Sequence, residues 1–158
     1  MNEIVNSYIE IEQHSNIKYE FNKETNKLEV DRILEYPYFY PYAYGFIPNT
    51  LADDKDELDI LVITDKKILN NEYYNVYIIG CLVMEDEKGM DEKVISVLEE
   101  DYERIKDIDD LSEEIKNNIH WFFSNYKCKT SGKWSKVLGY INKEESIKLY
   151  EKCILHKI

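Results

Sequence analysis

The sequence predicts a single α+β domain, mainly β, in which a barrel-like and mostly antiparallel sheet is followed by two late helices. Three observations carry this prediction: a hairpin signature near the N-terminus, short apolar runs bounded by acids through the middle, and a switch to helical spacing in the last third. At 158 residues the chain suits one domain, 1–158, large enough to bury a proper core. Residues 9–11 are a short alternating apolar piece. Residues 17–21 and 28–33 flank a polar turn at 23–26, which reads as a hairpin, and period-two alternation places Lys18 and Glu20 together on one of its faces. Pro37, Pro41, Pro48 and Gly45 exclude regular helix from 35–49 and predict a shaped loop or irregular strand lined with aromatics. Buried strands are expected at 60–63, 75–84 and 93–98. Leu111, Ile115, Ile119, Phe122 and Tyr126 then recur at spacings of three and four, one face of a helix, with Asp110 and Glu113 as its expected capping box. Asn142 and Glu145 repeat that signal before a second helix carrying Ile147, Tyr150 and Ile154.

Composition bounds function before any motif does. A formal net charge of −12 opposes nucleic acid and anionic membrane surfaces, because binders of either normally neutralise phosphate with Lys and Arg. A small phosphate-bearing ligand is not excluded, since the local charge of a pocket decides its binding. Residues 1–12 hold acids and polar groups where a secretory signal needs a basic start and an apolar run, and the longest apolar stretch, 76–84, is too short to span a bilayer. Three cysteines, Cys81, Cys128 and Cys153, are odd in number and lack CxxC spacing, so neither a disulfide framework nor a zinc site is expected. A reducing cytoplasm is the expected location.

Three aspartates, Asp54, Asp56 and Asp59, fall within six positions and lead directly into the apolar run 60–63. Asp86, Asp91 and Lys93 follow the next apolar run. Carboxylates this close repel one another, and a fold keeps them together at a strand edge only with positive charge among them. The helical calcium-loop pattern does not fit, since Leu58 and Asp59 stand where it requires an acid or Asn and then Gly. Mg2+ takes few carboxylates together with water and phosphate oxygens, which suits this inventory. Lys18, Arg32, Lys93 and Lys127 are candidate cationic donors to an anion, and Tyr40, Tyr44 and Tyr126 candidate hydroxyl donors.

From about residue 9 to residue 140 the segments IEI, IKYE, VDR, FYPYAYGFIP, the acid cluster before ILV, MEDEKGMDEK, IKDIDDL, the FFxxYK helix end and GKWSKV succeed one another. In that order the chain resembles the family I soluble inorganic pyrophosphatases, the magnesium-dependent bacterial members above all. The resemblance implies a closed five-stranded barrel of the oligonucleotide-binding (OB) type with helices packed outside, and hydrolysis of pyrophosphate to two orthophosphates by direct in-line attack of water. It implies that Asp54, Asp59, Asp86 and Asp91, with Glu20 and Glu10, hold several Mg2+ ions, Mn2+ or Zn2+ being substitutes. It implies that Asp56 takes the proton of the attacking water, and that Lys18, Arg32, Tyr44, Lys93, Tyr126 and Lys127 grip the phosphoryl groups, with Tyr40 lining the same cavity. Bacterial members form homo-oligomers, commonly hexamers, which is the expected assembly.

The chain departs from the family pattern inside the acid cluster. Lys55 stands where the family usually has Gly, and Glu57 where it commonly has Pro. A lysine there brings a cation beside the expected metal site and removes glycine's backbone freedom. That departure motivates the alternative expectation of a catalytically impaired homologue that only binds phosphate or metal.

Overall fold

The computed structural model describes residues 4–127 and 132–155. Cys128 lies outside the described residues, while Cys81 and Cys153 are buried free thiols. The strands are β1 (Ile4–Ile11), β2 (Ile17–Asn22), β3 (Lys27–Ile33), β4 (Ala43–Ile47), β5 (Leu58–Ile63), β6 (Glu72–Asp86), β7 (Gly89–Met90), β8 (Lys93–Val97) and β9 (Ser135–Asn142). The helices are α1 (Glu99–Tyr102), α2 (Glu113–Asn125) and α3 (Lys143–Cys153), with a 3-10 turn over Ile108–Asp110. The architecture is α+β and mainly β, as expected.

Strand β1 pairs antiparallel with β4 on one side and with β6 on the other. Strand β4 pairs antiparallel with β5, β5 parallel with β8, and β8 antiparallel with β6, so these five pairings return to β1. Strand β9 extends β6, and β7 pairs with its end. The β2–β3 hairpin is a separate two-stranded sheet.

Alternation sorts β5 between two cores. Leu61 and Ile63 join the cluster covered by Ile119, Phe122 and Phe123 of α2, whereas Leu58, Ile60 and Val62 join the one reached by Ile147 of α3. A strand buried on both faces needs a continuous apolar run, which is why residues 60–63 contain no polar side chain.

Several boundaries differ from expectation for identifiable reasons. Helix α2 is capped by Ser112, whose Oγ accepts from the Ile115 amide at 3.2 Å. Asp110 instead accepts from the Asp107 amide at 3.1 Å and closes a capping box on the preceding 3-10 turn, because the nearer free amides lie on its N-terminal side. Asn142 caps α3 as expected, accepting from Glu145 N at 3.0 Å. Strand β9 had no legible period: the register shifts where Val83 faces Gly139 and Met84 faces Val137, and Gly139 has φ 142°, so a bulge breaks the alternation.

The proline-rich segment contains a true strand, β4, made possible by Gly45. A Cβ at that position would lie 1.8 Å from the Tyr8 carbonyl oxygen of β1, so only glycine lets the two backbones meet. Gly45→Ala is expected to cost on the order of 3 kcal/mol, the upper range for overpacking against an unyielding backbone, measured as a lowered urea midpoint.

Candidate active site

One cleft of about 820 Å³ collects side chains from six separate parts of the chain. The acid loop and β5 contribute Asp54, Asp56 and Asp59; the β6–β8 connection contributes Asp86, Asp91 and Lys93; the β2–β3 hairpin contributes Lys18, Glu20 and Arg32; the end of α2 contributes Tyr126 and Lys127. Glu10 and Tyr44 join the lining from β1 and β4. All the residues singled out from the sequence therefore share one cavity except Tyr40. That side chain is 1% exposed and lies one layer behind, its ring 5.3 Å from Tyr44 and 4.7 Å from Phe122. The ring of Tyr40 packs in the α2 core, while Tyr126, Lys93, Asp59 and Arg32 of the cleft are the charged and titratable neighbours of its hydroxyl.

Lys93 stands at the bottom of the cleft, with its side chain 3% exposed. The parallel register of β5 and β8 sets Asp59 beside Lys93, and Asp91, two residues before it, comes to the same side. Its Nζ donates to Tyr44 Oη at 2.7 Å, Asp59 Oδ2 at 2.8 Å, and Asp91 Oδ2 and Oδ1 at 2.9 and 3.0 Å. Burial opposes the ammonium charge, but Asp59, Tyr44 and Asp91 outweigh it and hold Lys93 protonated well above the ordinary lysine range. Burial pushes Asp91 up to about 6: Lys93 opposes this, but it is shared with Asp59, whose charge adds to the rise.

Beside this cluster Lys127 donates to Asp86 Oδ2 at 2.9 Å, and the Lys88 amide donates to Asp86 Oδ1, also at 2.9 Å. Burial alone would raise the Asp86 carboxyl, yet these two donors hold it below the usual range. Across the cleft Lys18 pairs with Asp31 at 2.6 Å, and Arg32 Nη2 reaches the Tyr126 carbonyl at 3.5 Å. Asp31 lines the cleft and was not among the residues picked from the sequence. It lies within the VDR segment, and its adjacency to Arg32 was the available signal.

The acid loop is a compact turn. Ala52 N donates to Asp56 O at 2.8 Å, Lys55 N to Ala52 O at 3.0 Å, and Asp56 N to Asp54 Oδ1 at 3.1 Å. Lys55 has φ 70°, the left-handed conformation that glycine adopts without strain. Its side chain is exposed and does not line the cleft. Asp56 is exposed at the mouth, and burial raises the Asp54 carboxyl, against the hydrogen bond it accepts from Asp56.

Glu10 is buried on the β1 side of the cleft, at 9% exposure, and its Oε2 accepts from the Phe21 amide at 2.8 Å. Burial pushes it up to about 8; the Phe21 hydrogen bond opposes that, and Asp59 adds to it.

The ligating atoms offered are all hard carboxylate oxygens, and the buried or crowded members Asp54, Asp91 and Glu10 are raised, a set that gains from a hard divalent cation. Among the described residues no three acids, His or Cys converge as a ready-made cage. Mg2+ binds through one or two carboxylates and fills its remaining positions with water and phosphate oxygens.

Oxygen ligands for hard cations facing lysine and arginine donors, on a mainly β frame, define a site for a small phosphate-bearing polyanion. A family model described as inorganic pyrophosphatase matches residues 7–157. The inorganic pyrophosphatase of Helicobacter pylori is 46% identical over 150 residues, spanning 92% of this chain and 87% of the relative. That of Nanoarchaeum equitans is 47% identical over 153 residues, spanning 94% of each. The solved Helicobacter pylori structure superposes with a TM-score of 0.93 at 44% identity, covering 96% of this chain and 92% of that one. The Thermus thermophilus structure gives 0.93 at 41% identity, covering 96% and 90%. The chain belongs to the inorganic pyrophosphatase family.

Two outcomes are expected from the geometry without substrate. Lys55→Gly relieves the positive φ and is expected to stabilise the fold by about 1 kcal/mol in urea unfolding. Glu10 has a folded pKa raised above its unfolded one, so the fold is favoured while Glu10 is protonated and that contribution is lost as pH rises through about 8. Metal-free protein should thus lose stability from pH 5 to pH 9, whereas Glu10→Gln, which keeps an acceptor for the Phe21 amide, should lose less over the same range.

Proposed function

We propose that this chain hydrolyses inorganic pyrophosphate to two orthophosphates by direct in-line attack of water in the described cleft. The observation that carries the reading is the buried Lys93 ammonium, held between Asp59, Asp91 and the Tyr44 hydroxyl in a cleft that also presents Lys18, Arg32 and Lys127 among its carboxylates. Family membership supports it across nearly the whole chain.

Pyrophosphate carries its charge on oxygens that shield both phosphorus atoms, and the departing phosphate must accept more. Lys18, Arg32, Lys93 and Lys127, with the hydroxyls of Tyr44 and Tyr126, bind and orient the two phosphoryl groups and stabilise the charge that develops on the leaving one. Arg32 offers a planar fork suited to phosphoryl oxygens, while each lysine acts as a point charge. Asp54, Asp59, Asp86 and Asp91, with Glu20 and Glu10, would hold Mg2+, for which Mn2+ or Zn2+ can substitute. Bound divalent ions supply neutralisation of the phosphoryl oxygens and an acidified water. Asp56 accepts the proton of the attacking water and, being exposed at the mouth, passes it to solvent. Lys55 points away from the cleft, so the alternative of a binding-only homologue has no structural feature in its favour.

The same reading takes the ring of β1, β4, β5, β8 and β6 as the closed five-stranded OB-type barrel, supported by the double pairing of β1. It includes assembly into a homo-oligomer, the hexamer of bacterial members, and residence in the cytoplasm, consistent with free thiols at Cys81 and Cys153. No helix among the described residues is long and apolar enough to cross a membrane.

Phosphate release from pyrophosphate, with ATP as the control substrate and Mg2+ titrated, tests the activity directly. Rapid release from pyrophosphate is expected, and release at the uncatalysed rate would end the reading. Asp56→Asn should lower kcat by about 100-fold or more, the usual contribution of a general base, with folding unchanged by circular dichroism. Lys55→Gly should leave kcat within a fewfold of the parent; a many-fold rise would revive the impaired-homologue alternative.

A further inference from the structure

The β2–β3 hairpin brings Lys18, Glu20 and Arg32 to the cleft yet forms no strand ladder with the main sheet. Lys18 and Arg32 face each other in its register near the base. Phe21 fastens the middle: its amide donates to Glu10, and its ring packs 5.4 Å from Tyr8. Beyond that point, at the tip, Lys23 Nζ lies 2.9 Å from Glu57 Oε2. Glu57 belongs to the acid loop, between Asp56 and the first residue of β5, so the pair joins one wall of the cleft to the other across its mouth.

We propose that Lys23 and Glu57 form a latch that fixes the β2–β3 hairpin against the acid loop and thereby sets the spacing at which Lys18 and Arg32 meet the substrate. Both are positioning residues that act through the hairpin, and the proposal rests on the pyrophosphatase reading of the cleft. Leverage explains why an exposed pair matters here. Lys23 lies five residues beyond Lys18, about 16 Å along the strand at ~3.3 Å per residue. A restraint at that distance limits rotation of the hairpin more than an equal one at its base. Among the described residues the hairpin also has no strand partner outside itself, so contacts such as this one and those of Phe21 fix its angle to the main sheet. Glu57 is partly sheltered, at 21% side-chain exposure, while Lys23 is at 67%, so the fixed end of the latch lies on the acid loop.

The test uses full-length Lys23→Gln, Glu57→Gln, the double variant, and the charge-swapped pair Lys23→Glu with Glu57→Lys. An exposed ion pair contributes a modest free energy, so each single variant should raise KM for pyrophosphate by about two- to fivefold, with kcat within about twofold of the parent. The double variant should be no worse than either single one, and the swapped pair should return KM to near the parental value. Hydrogen exchange on protein without substrate or metal should show faster exchange of hairpin amides, residues 17–33, in the single variants, with β6 unchanged. Unchanged hairpin exchange, multiplying effects in the double variant, or a fall in kcat at constant KM would each overturn the latch. If the parent protein releases no phosphate, the functional reading falls by itself, and the exchange comparison alone decides whether the latch exists.

Discussion

The structure is organised around one buried ammonium. Lys93 has almost no contact with solvent, and its charge is tolerated only because Tyr44, Asp59 and Asp91 surround it with oxygen acceptors. Those partners come from β4, β5 and the turn before β8, so satisfying Lys93 fixes the relative position of three strand segments. Phe123 of α2 lies against the same ammonium, 5.7 Å from ring centroid to Nζ, which ties the helix to the arrangement as well. Remove any one acceptor and the others are left holding a poorly compensated charge in an apolar surround. The cost of that arrangement purchases geometry: groups that must meet a polyanion are already placed before it arrives.

The same logic reconciles an acidic protein with an anionic ligand. The chain carries a net charge of −12, yet the cleft gathers Lys18, Arg32, Lys93 and Lys127. Each of the three lysines is held by a carboxylate: Lys18 by Asp31, Lys93 by Asp59 and Asp91, Lys127 by Asp86. Such pairing orders long flexible side chains at little net energetic gain, since partner attraction is offset by desolvation. The local donors, together with any cation the surrounding acids hold, decide what such a pocket accepts, which is why overall charge is a poor guide to it.

Legibility in the sequence followed periodicity and apolar runs. The hairpin was readable from its polar turn between two apolar pieces, β5 and β6 from continuous apolar runs, and α2 from its helical spacing, and the two cores of β5 follow from its run. Strand β9 was hidden by the bulge at Gly139, and β4 by prolines that bracket it while Gly45 supplies the close approach to β1. The cap of α2 was misplaced because Asp110 and Ser112 both suit the role, and only backbone geometry assigns Asp110 to the preceding turn. For the site, resemblance collected residues that no local pattern could join, since they are contributed from Glu10 to Lys127. What it could not supply was depth: that Tyr40 lies behind the lining, that Lys55 faces outward, and that Asp31 holds Lys18.

The parallel pairing of β5 with β8 has a consequence for how the protein is made. Antiparallel neighbours can meet as soon as a short turn is complete, but parallel ones must wait for an intervening crossover to return the chain to its starting end. Here the crossover includes all of β6, so during synthesis Asp59 emerges long before Lys93 can reach it, and Lys127 later still. An N-terminal fragment must extend through β8 before it contains Lys93 with Tyr44, Asp59 and Asp91, and past α2 before it gains Lys127. Until the ring of strands closes, Asp59 lacks the Lys93 ammonium that holds it in the finished fold, so the deepest part of the cleft is completed by a late, long-range contact.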